Sequence, residues 1–82
     1  MYQIYTRELC NYCDMAKAEM NRLELPFEEI SQTQKTREEL IARSGLNEMK
    51  LTYPQIFAPD GKLIGGFEDL LDYTESFNEV KY

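Results

Sequence analysis

The 82-residue chain has no histidine and only two cysteines. Without an imidazole, histidine general acid–base chemistry and histidine metal ligation are both excluded. A structural zinc site within one chain takes four Cys or His side chains, and two are present. Two cysteines are also too few for a disulfide-dense scaffold. Basic residues are in the minority, nine Lys and Arg against fifteen Asp and Glu, for a net charge of −6. Such a chain repels nucleic acid at long range, and no basic stripe offsets the repulsion, so no nucleic-acid partner is expected. No apolar run approaches the ~20 residues of a membrane span. Repeats, linkers and low-complexity segments are missing as well. The opening stretch "MYQIYTRELC" lacks a basic segment followed by an apolar one, so the expectation is a cytoplasmic protein without a secretory leader.

What is present fits one compact unit. Hydrophobic residues make up 43 % and charged residues 29 %, the balance of a soluble globular chain. Splitting 82 residues would leave pieces too small for a core, so residues 1–82 are expected to form a single domain.

Local patterns give an order of elements. "YQIYT" (2–6) reads as a short strand of aromatic and β-branched residues. Cys13, Ala16, Met20 and Leu23 then fall on one face of a helix from about Cys10 to about Leu25, where Pro26 disfavours helix in its predecessor. "PFEEI" (26–30) is a second strand. Thr36 and Glu39 have capping-box spacing before Leu40 and Ile41, with Ser31 or Thr33 as earlier starts and Gly45 as the stop. "QIF" and "KLI" flank "APDG", a hairpin in which Pro59 presets the turn and Gly61 supplies positive φ. "FEDLLDYTESFNEV" (67–80) reads as a closing helix with Leu70, Leu71, Thr74 and Phe77 inward. The order β-α-β-α-β-β-α predicts an α/β fold. Its first unit is a right-handed parallel crossover, and the hairpin completes a mixed four-stranded sheet.

"LCNYCDM" (9–15) carries the chemistry. Cys10 falls where a strand ends and a helix begins, so its sulfur faces unpaired N–H groups that favour a thiolate and hold the thiol pKa below its ordinary value. Cys13, one turn further on, is the more buried sulfur. This geometry makes Cys10 the attacking and Cys13 the resolving thiol. Spacing alone leaves three readings open: a redox pair, buried structural cysteines, or a metal site shared between chains. Arg7 adds positive charge near Cys10, opposed by Glu8 and Asp14, or is an ordinary solvated arginine. Tyr12 is a surface aromatic or a wall for a peptide. The Tyr53–Pro54 bond is trans by default. "GGFED" (65–69) opens a helix whose N–H groups suit a carboxylate, or is simply a tight turn.

Taken together, "CNYC" after the first strand, "TYP" before the third and "GGFED" after the fourth resemble the glutaredoxins, over essentially the whole chain. The resemblance implies a thioredoxin-like fold and a glutathione-dependent thiol–disulfide oxidoreductase. It implies no permanently bound cofactor and no metal, with glutathione as co-substrate. It assigns Cys10 as nucleophile and Cys13 as resolving thiol, and it makes Pro54 a cis-proline facing them. Tyr53 would pair its backbone with the tripeptide, Arg7 would meet the glycyl carboxylate, and Tyr12 would flank it. Gly66, Phe67 and Glu68 would donate backbone N–H groups to the γ-glutamyl carboxylate, and Asp69 would accept its ammonium group. A cytoplasmic monomer is implied, acting on protein disulfides, with ribonucleotide reductase as one substrate. Two positions depart from the family: Asn11 where proline is frequent, and Tyr53 where valine is common. The alternatives are a donor reduced by thioredoxin reductase and a glutathione-ligated [2Fe–2S] dimer.

Overall fold

The computed structural model describes residues 1–75 and Phe77. Strand β1 (Tyr2–Thr6) is followed by helix α1 (Asn11–Arg22), β2 (Phe27–Ser31) and α2 (Gln34–Ser44). A short 3-10 turn (Glu48–Lys50) leads to β3 (Gln55–Phe57), β4 (Leu63–Gly65) and α3 (Phe67–Glu75). The sheet order is β2-β1-β3-β4. β1 runs parallel to β2 and antiparallel to β3, and β3 pairs antiparallel with β4. This is the mixed sheet anticipated from the element order.

Alternation along β1 explains why the sheet is covered on both sides, because successive side chains point to opposite faces. Tyr2 and Ile4 join Ile56 of β3 in a cluster with Ala16 and Met20 of α1 and Leu70 of α3. Tyr5 and Phe57 face the other way and pack against Leu40 of α2. β1 is therefore apolar nearly throughout. β2, at the sheet edge, carries Glu28 and Glu29 in an exposed stretch.

The ends of the elements sharpen the sequence-based boundaries. α1 begins one residue after Cys10 and stops at Arg22 rather than at Leu25. Leu25 N–H donates to the Met20 carbonyl at 2.9 Å and Glu24 N–H to the Asn21 carbonyl at 3.1 Å, the paired closure of a Schellman motif. It places Glu24 at φ 57°, a left-handed position usually given to glycine. α2 uses its earlier start. Thr33 is the N-cap, accepting from Thr36 N–H at 3.1 Å while the Thr36 hydroxyl accepts from Thr33 N–H at 2.8 Å. Thr36 thus closes a box with Thr33, not with Glu39. Gly45 ends the helix at φ 73°, and Gly61 takes φ 89° in the hairpin turn. In α3, Leu70 and Thr74 are buried as expected, but Leu71 and, past the helix end at Glu75, Phe77 are exposed by more than a third. Only one stripe of this helix meets the sheet. The part of the expected closing helix at Ser76 and 78–80 lies outside the described residues.

Candidate active site

Cys10 is the N-cap of α1, in extended geometry (φ −120°, ψ 97°). Its Sγ accepts a hydrogen bond from Cys13 N–H at 3.1 Å. The turn that starts the helix therefore supplies a donor to the sulfur, and the first-turn amides carry the positive end of the helix dipole. Cys10 and Cys13 are joined as a disulfide with Cα atoms 5.2 Å apart. Cys13 is 1 % exposed and Cys10 7 %, so an incoming group reaches Cys10 first. That asymmetry follows from the helix face on which Cys13 sits with Ala16 and Met20.

β3 delivers the second side of the site. The Tyr53–Pro54 peptide is cis, against the local default and in accord with the family resemblance. Pro54 is buried, and the carbonyl oxygen of Tyr53 lies 3.8 Å from Cys10 Sγ. The Tyr53 ring packs beside Tyr5, Leu40 and Phe57 in the cluster under α2. Burial raises its hydroxyl pKa above the ordinary 10, with the positive charges of Arg37 and Arg7 pulling the other way.

The third side is the start of α3. Gly65 has φ 121°, and a Cβ there would run into the Asp69 carboxylate. Asp69 Oδ2 accepts from Gly66 N–H at 3.0 Å, which braces the turn. The Gly66 amide anticipated as a ligand donor is thus engaged within the chain. Phe67 and Glu68, the first residues of α3, keep amides without intrahelical partners. The Phe67 ring tilts against Tyr12, with centroids 6.2 Å apart.

These three sides enclose an open groove of about 640 Å³ lined by Arg7, Tyr12, Tyr53, Pro54, Gly66, Phe67, Glu68 and Asp69, together with Leu51 and Thr52. The groove therefore brings together all eight residues anticipated around the cysteine pair. Leu51 and Thr52 were missed in the sequence reading. Their only signal was position, immediately before the "YP" that turns into β3. Arg37 was missed too. It pairs with Glu48 at 2.8 Å and acts electrostatically on Tyr53, a relation across sixteen residues that no local pattern marks. Arg7 is exposed, with Nη1 donating to the Glu8 carbonyl at 3.1 Å. Asp14, expected to oppose it, is drawn towards Lys17 at 3.7 Å, and Lys17 also pairs with Glu29 at 3.1 Å. Hydrogen bonds from Thr6 and then from Lys17 hold the Glu29 carboxyl below the usual carboxylate range. Among the described residues, no group of three or more Cys, Asp or Glu side chains could hold a metal ion.

A disulfide at a helix N-terminus, facing a cis-proline and edged by a groove, can exchange with external thiols and disulfides. A family model described as glutaredoxin matches residues 3–64. The chain belongs to the glutaredoxin family. It is 44 % identical over 70 residues to glutaredoxin 3 of Escherichia coli strain K12, covering 83 % of this chain and 78 % of that protein. It also resembles the crystal structure of glutaredoxin 1 from Francisella tularensis in complex with cacodylate, with a TM-score of 0.72 and 28 % identity. That match covers 95 % of each chain. The crystal structure of a buckwheat glutaredoxin–glutathione complex shares the fold, with a TM-score of 0.74 at 21 % identity over 98 % of this chain and 73 % of that one. As a glutaredoxin, the protein is a thiol–disulfide oxidoreductase with a thioredoxin-like fold.

Proposed function

We propose that the groove beside Cys10 binds glutathione, and that the protein uses it to reduce protein disulfides and glutathione mixed disulfides. The observation that carries this reading is the single groove that gathers Arg7, Tyr12, Tyr53, Pro54 and the start of α3, with the Tyr53 carbonyl 3.8 Å from Cys10 Sγ. An extended tripeptide fits it chemically. Arg7 supplies a cation for the glycyl carboxylate, and the Tyr53 backbone offers strand-type pairing to the central cysteine. The amides of Phe67 and Glu68 meet the γ-glutamyl carboxylate at a helix N-terminus. Asp69 accepts the ammonium group while its other role holds Gly66. The buckwheat relative solved with glutathione is consistent with such an occupant.

The steps follow from the two exposures and the helix cap. In the reduced protein the Cys10 thiolate attacks a disulfide sulfur, forming a new S–S bond and expelling the other sulfur as a thiolate. With a protein substrate, Cys13 then attacks Cys10 in the mixed disulfide, releases the reduced substrate and leaves the Cys10–Cys13 disulfide. Two glutathione molecules return the pair to dithiols and leave as glutathione disulfide. Glutaredoxins have potentials of about −200 to −230 mV, within reach of a glutathione pool, so no metal or separate base is needed. We read the protein as a single-domain cytoplasmic monomer, with ribonucleotide reductase among its substrates.

The test is turnover of a glutathione mixed disulfide with glutathione and its reductase. Activity is expected in the native protein, none in Cys10→Ser, and retained glutathione exchange with lost protein-disulfide reduction in Cys13→Ser. Full activity in Cys10→Ser would overturn the mechanism. Titration against glutathione buffers, with mass spectrometry of Cys10 adducts, separates this reading from a donor that ignores glutathione.

A further inference from the structure

The residue immediately before the nucleophile has no role in the groove described above. Leu9 is 98 % exposed and sits at φ 52°, a left-handed conformation unfavourable to a leucine. Neither feature is explained by packing, since Leu9 belongs to neither core cluster. It does not line the groove beside Arg7 and Tyr12. It lies at a separate opening on the far side of Arg7, with Thr6, Glu29 and Ser31. A solvated turn of this shape would be met more easily by glycine or asparagine. A strained backbone beside a reacting group is a place to look for function.

Disulfide exchange dictates what must come close. In a mixed disulfide the two cysteine Cα atoms lie about 4.4–6.8 Å apart. Consecutive Cα atoms in a chain are about 3.8 Å apart. The residues flanking a substrate cysteine bonded to Cys10 therefore pass within side-chain reach of Leu9. We propose that Leu9 is a specificity contact for protein substrates, meeting an apolar side chain next to the substrate's reactive cysteine. The left-handed turn holds the leucine out from the surface instead of letting it fold back onto the sheet. A small disulfide without flanking residues does not reach it.

The test uses the family's disulfide exchange alone and needs no glutathione, so it stands apart from the groove reading. The full chain is reduced, freed of reductant and mixed with one of three oxidants. These are 2-hydroxyethyl disulfide and two disulfide-linked peptide dimers, identical except for leucine or serine on either side of the cysteine. In each case Cys10 attacks, Cys13 closes the intramolecular disulfide, and two thiols of the oxidant are released. The native protein is expected to react roughly five- to thirty-fold faster with the leucine dimer than with the serine dimer, as suits one buried apolar contact. Leu9→Gly and Leu9→Asn, both compatible with positive φ, should erase that preference and leave 2-hydroxyethyl disulfide within twofold of the native rate. Leu9→Met should restore most of the preference. No preference in the native protein overturns the proposal, as does a preference surviving in Leu9→Gly. A parallel fall for all three oxidants does so too, because Leu9 would then act on Cys10 itself. Circular dichroism confirms that each variant is folded.

Discussion

Replacing Tyr53 with phenylalanine separates what its backbone does from what its side chain does. The carbonyl of Tyr53 faces Cys10 at 3.8 Å, whereas its hydroxyl is buried and meets no hydrogen-bond partner among the described residues. A buried polar group left unsatisfied costs about 1–3 kcal/mol. Phenylalanine keeps the ring that packs with Tyr5, Leu40 and Phe57 and removes only that oxygen. The variant should therefore be more stable by about 1–2 kcal/mol. For a domain of this size each kcal/mol moves the melting temperature by roughly 4–8 °C, so a rise of at least about 4 °C is expected. The pH dependence has a definite sign. Burial raises the tyrosine pKa in the folded state, so folding favours the neutral hydroxyl. That preference is fully present below pH ~10 and is lost as pH rises through the folded-state pKa. Phenylalanine cannot ionise, and the stability gap should widen above pH ~10. Thermal and urea unfolding at pH 7 and pH 10.5 measure both effects, and disulfide-exchange activity at pH 7 should stay within twofold. A Phe variant no more stable than the native protein would refute the reasoning, by showing that the hydroxyl is satisfied.

Three further outcomes follow from the same structure. Glu24→Gly relieves the left-handed position that closes α1 and should stabilise by about 0.5–1 kcal/mol, read from the urea midpoint at unchanged slope. Tyr2 has its hydroxyl pKa pushed up to about 12 by burial and then by the hydrogen bond and charge of Tyr73, with Asp60 adding to it. Its contribution is intact below pH ~10 and is lost between pH ~10 and ~12, a fall of roughly 2–3 kcal/mol that Tyr2→Phe should flatten in alkaline unfolding curves. Asp69→Asn keeps an oxygen for the Gly66 amide but removes the charge that the proposed glutathione site pairs with an ammonium group. It should raise the KM for glutathione roughly tenfold while the melting temperature changes little, and an unchanged KM would remove Asp69 from the ligand site.

Much of this was legible because it is local. The hairpin around "APDG", the strand "YQIYT" and the face formed by Cys13, Ala16 and Met20 depend on neighbours within a few residues. The end of α1 was misplaced because a Schellman closure can use Glu24, and nothing in that residue type advertises it. Leu71 and Phe77 were set inward because an apolar residue on a helix looks the same whichever side the sheet lies. At the start of α3, the pattern "GGFED" suggested three free backbone donors. It could not show that Asp69 takes the Gly66 amide for itself, since that depends on the positive φ of Gly65 and the rotamer four residues on.

By itself the sequence narrowed the chemistry to a thiol pair, two cysteines one helical turn apart at a strand-to-helix junction with no histidine and too few thiols for a single-chain zinc site, and the resemblance of its three motifs to the glutaredoxins pointed to disulfide exchange. It also determined the element order, because turn residues and apolar periodicity act over short distances. Tertiary structure alone decided the groove. Residues 7, 12, 53–54 and 66–69 become neighbours because β1 and β3 pair at the centre of the sheet while α1 and α3 pack on one face of it. It also decided that the Tyr53 ring turns into the core while its carbonyl faces the disulfide, and that Leu9 stands clear of the surface. These are properties of burial and backbone direction, and both exist only once the sheet and helices have closed on one another.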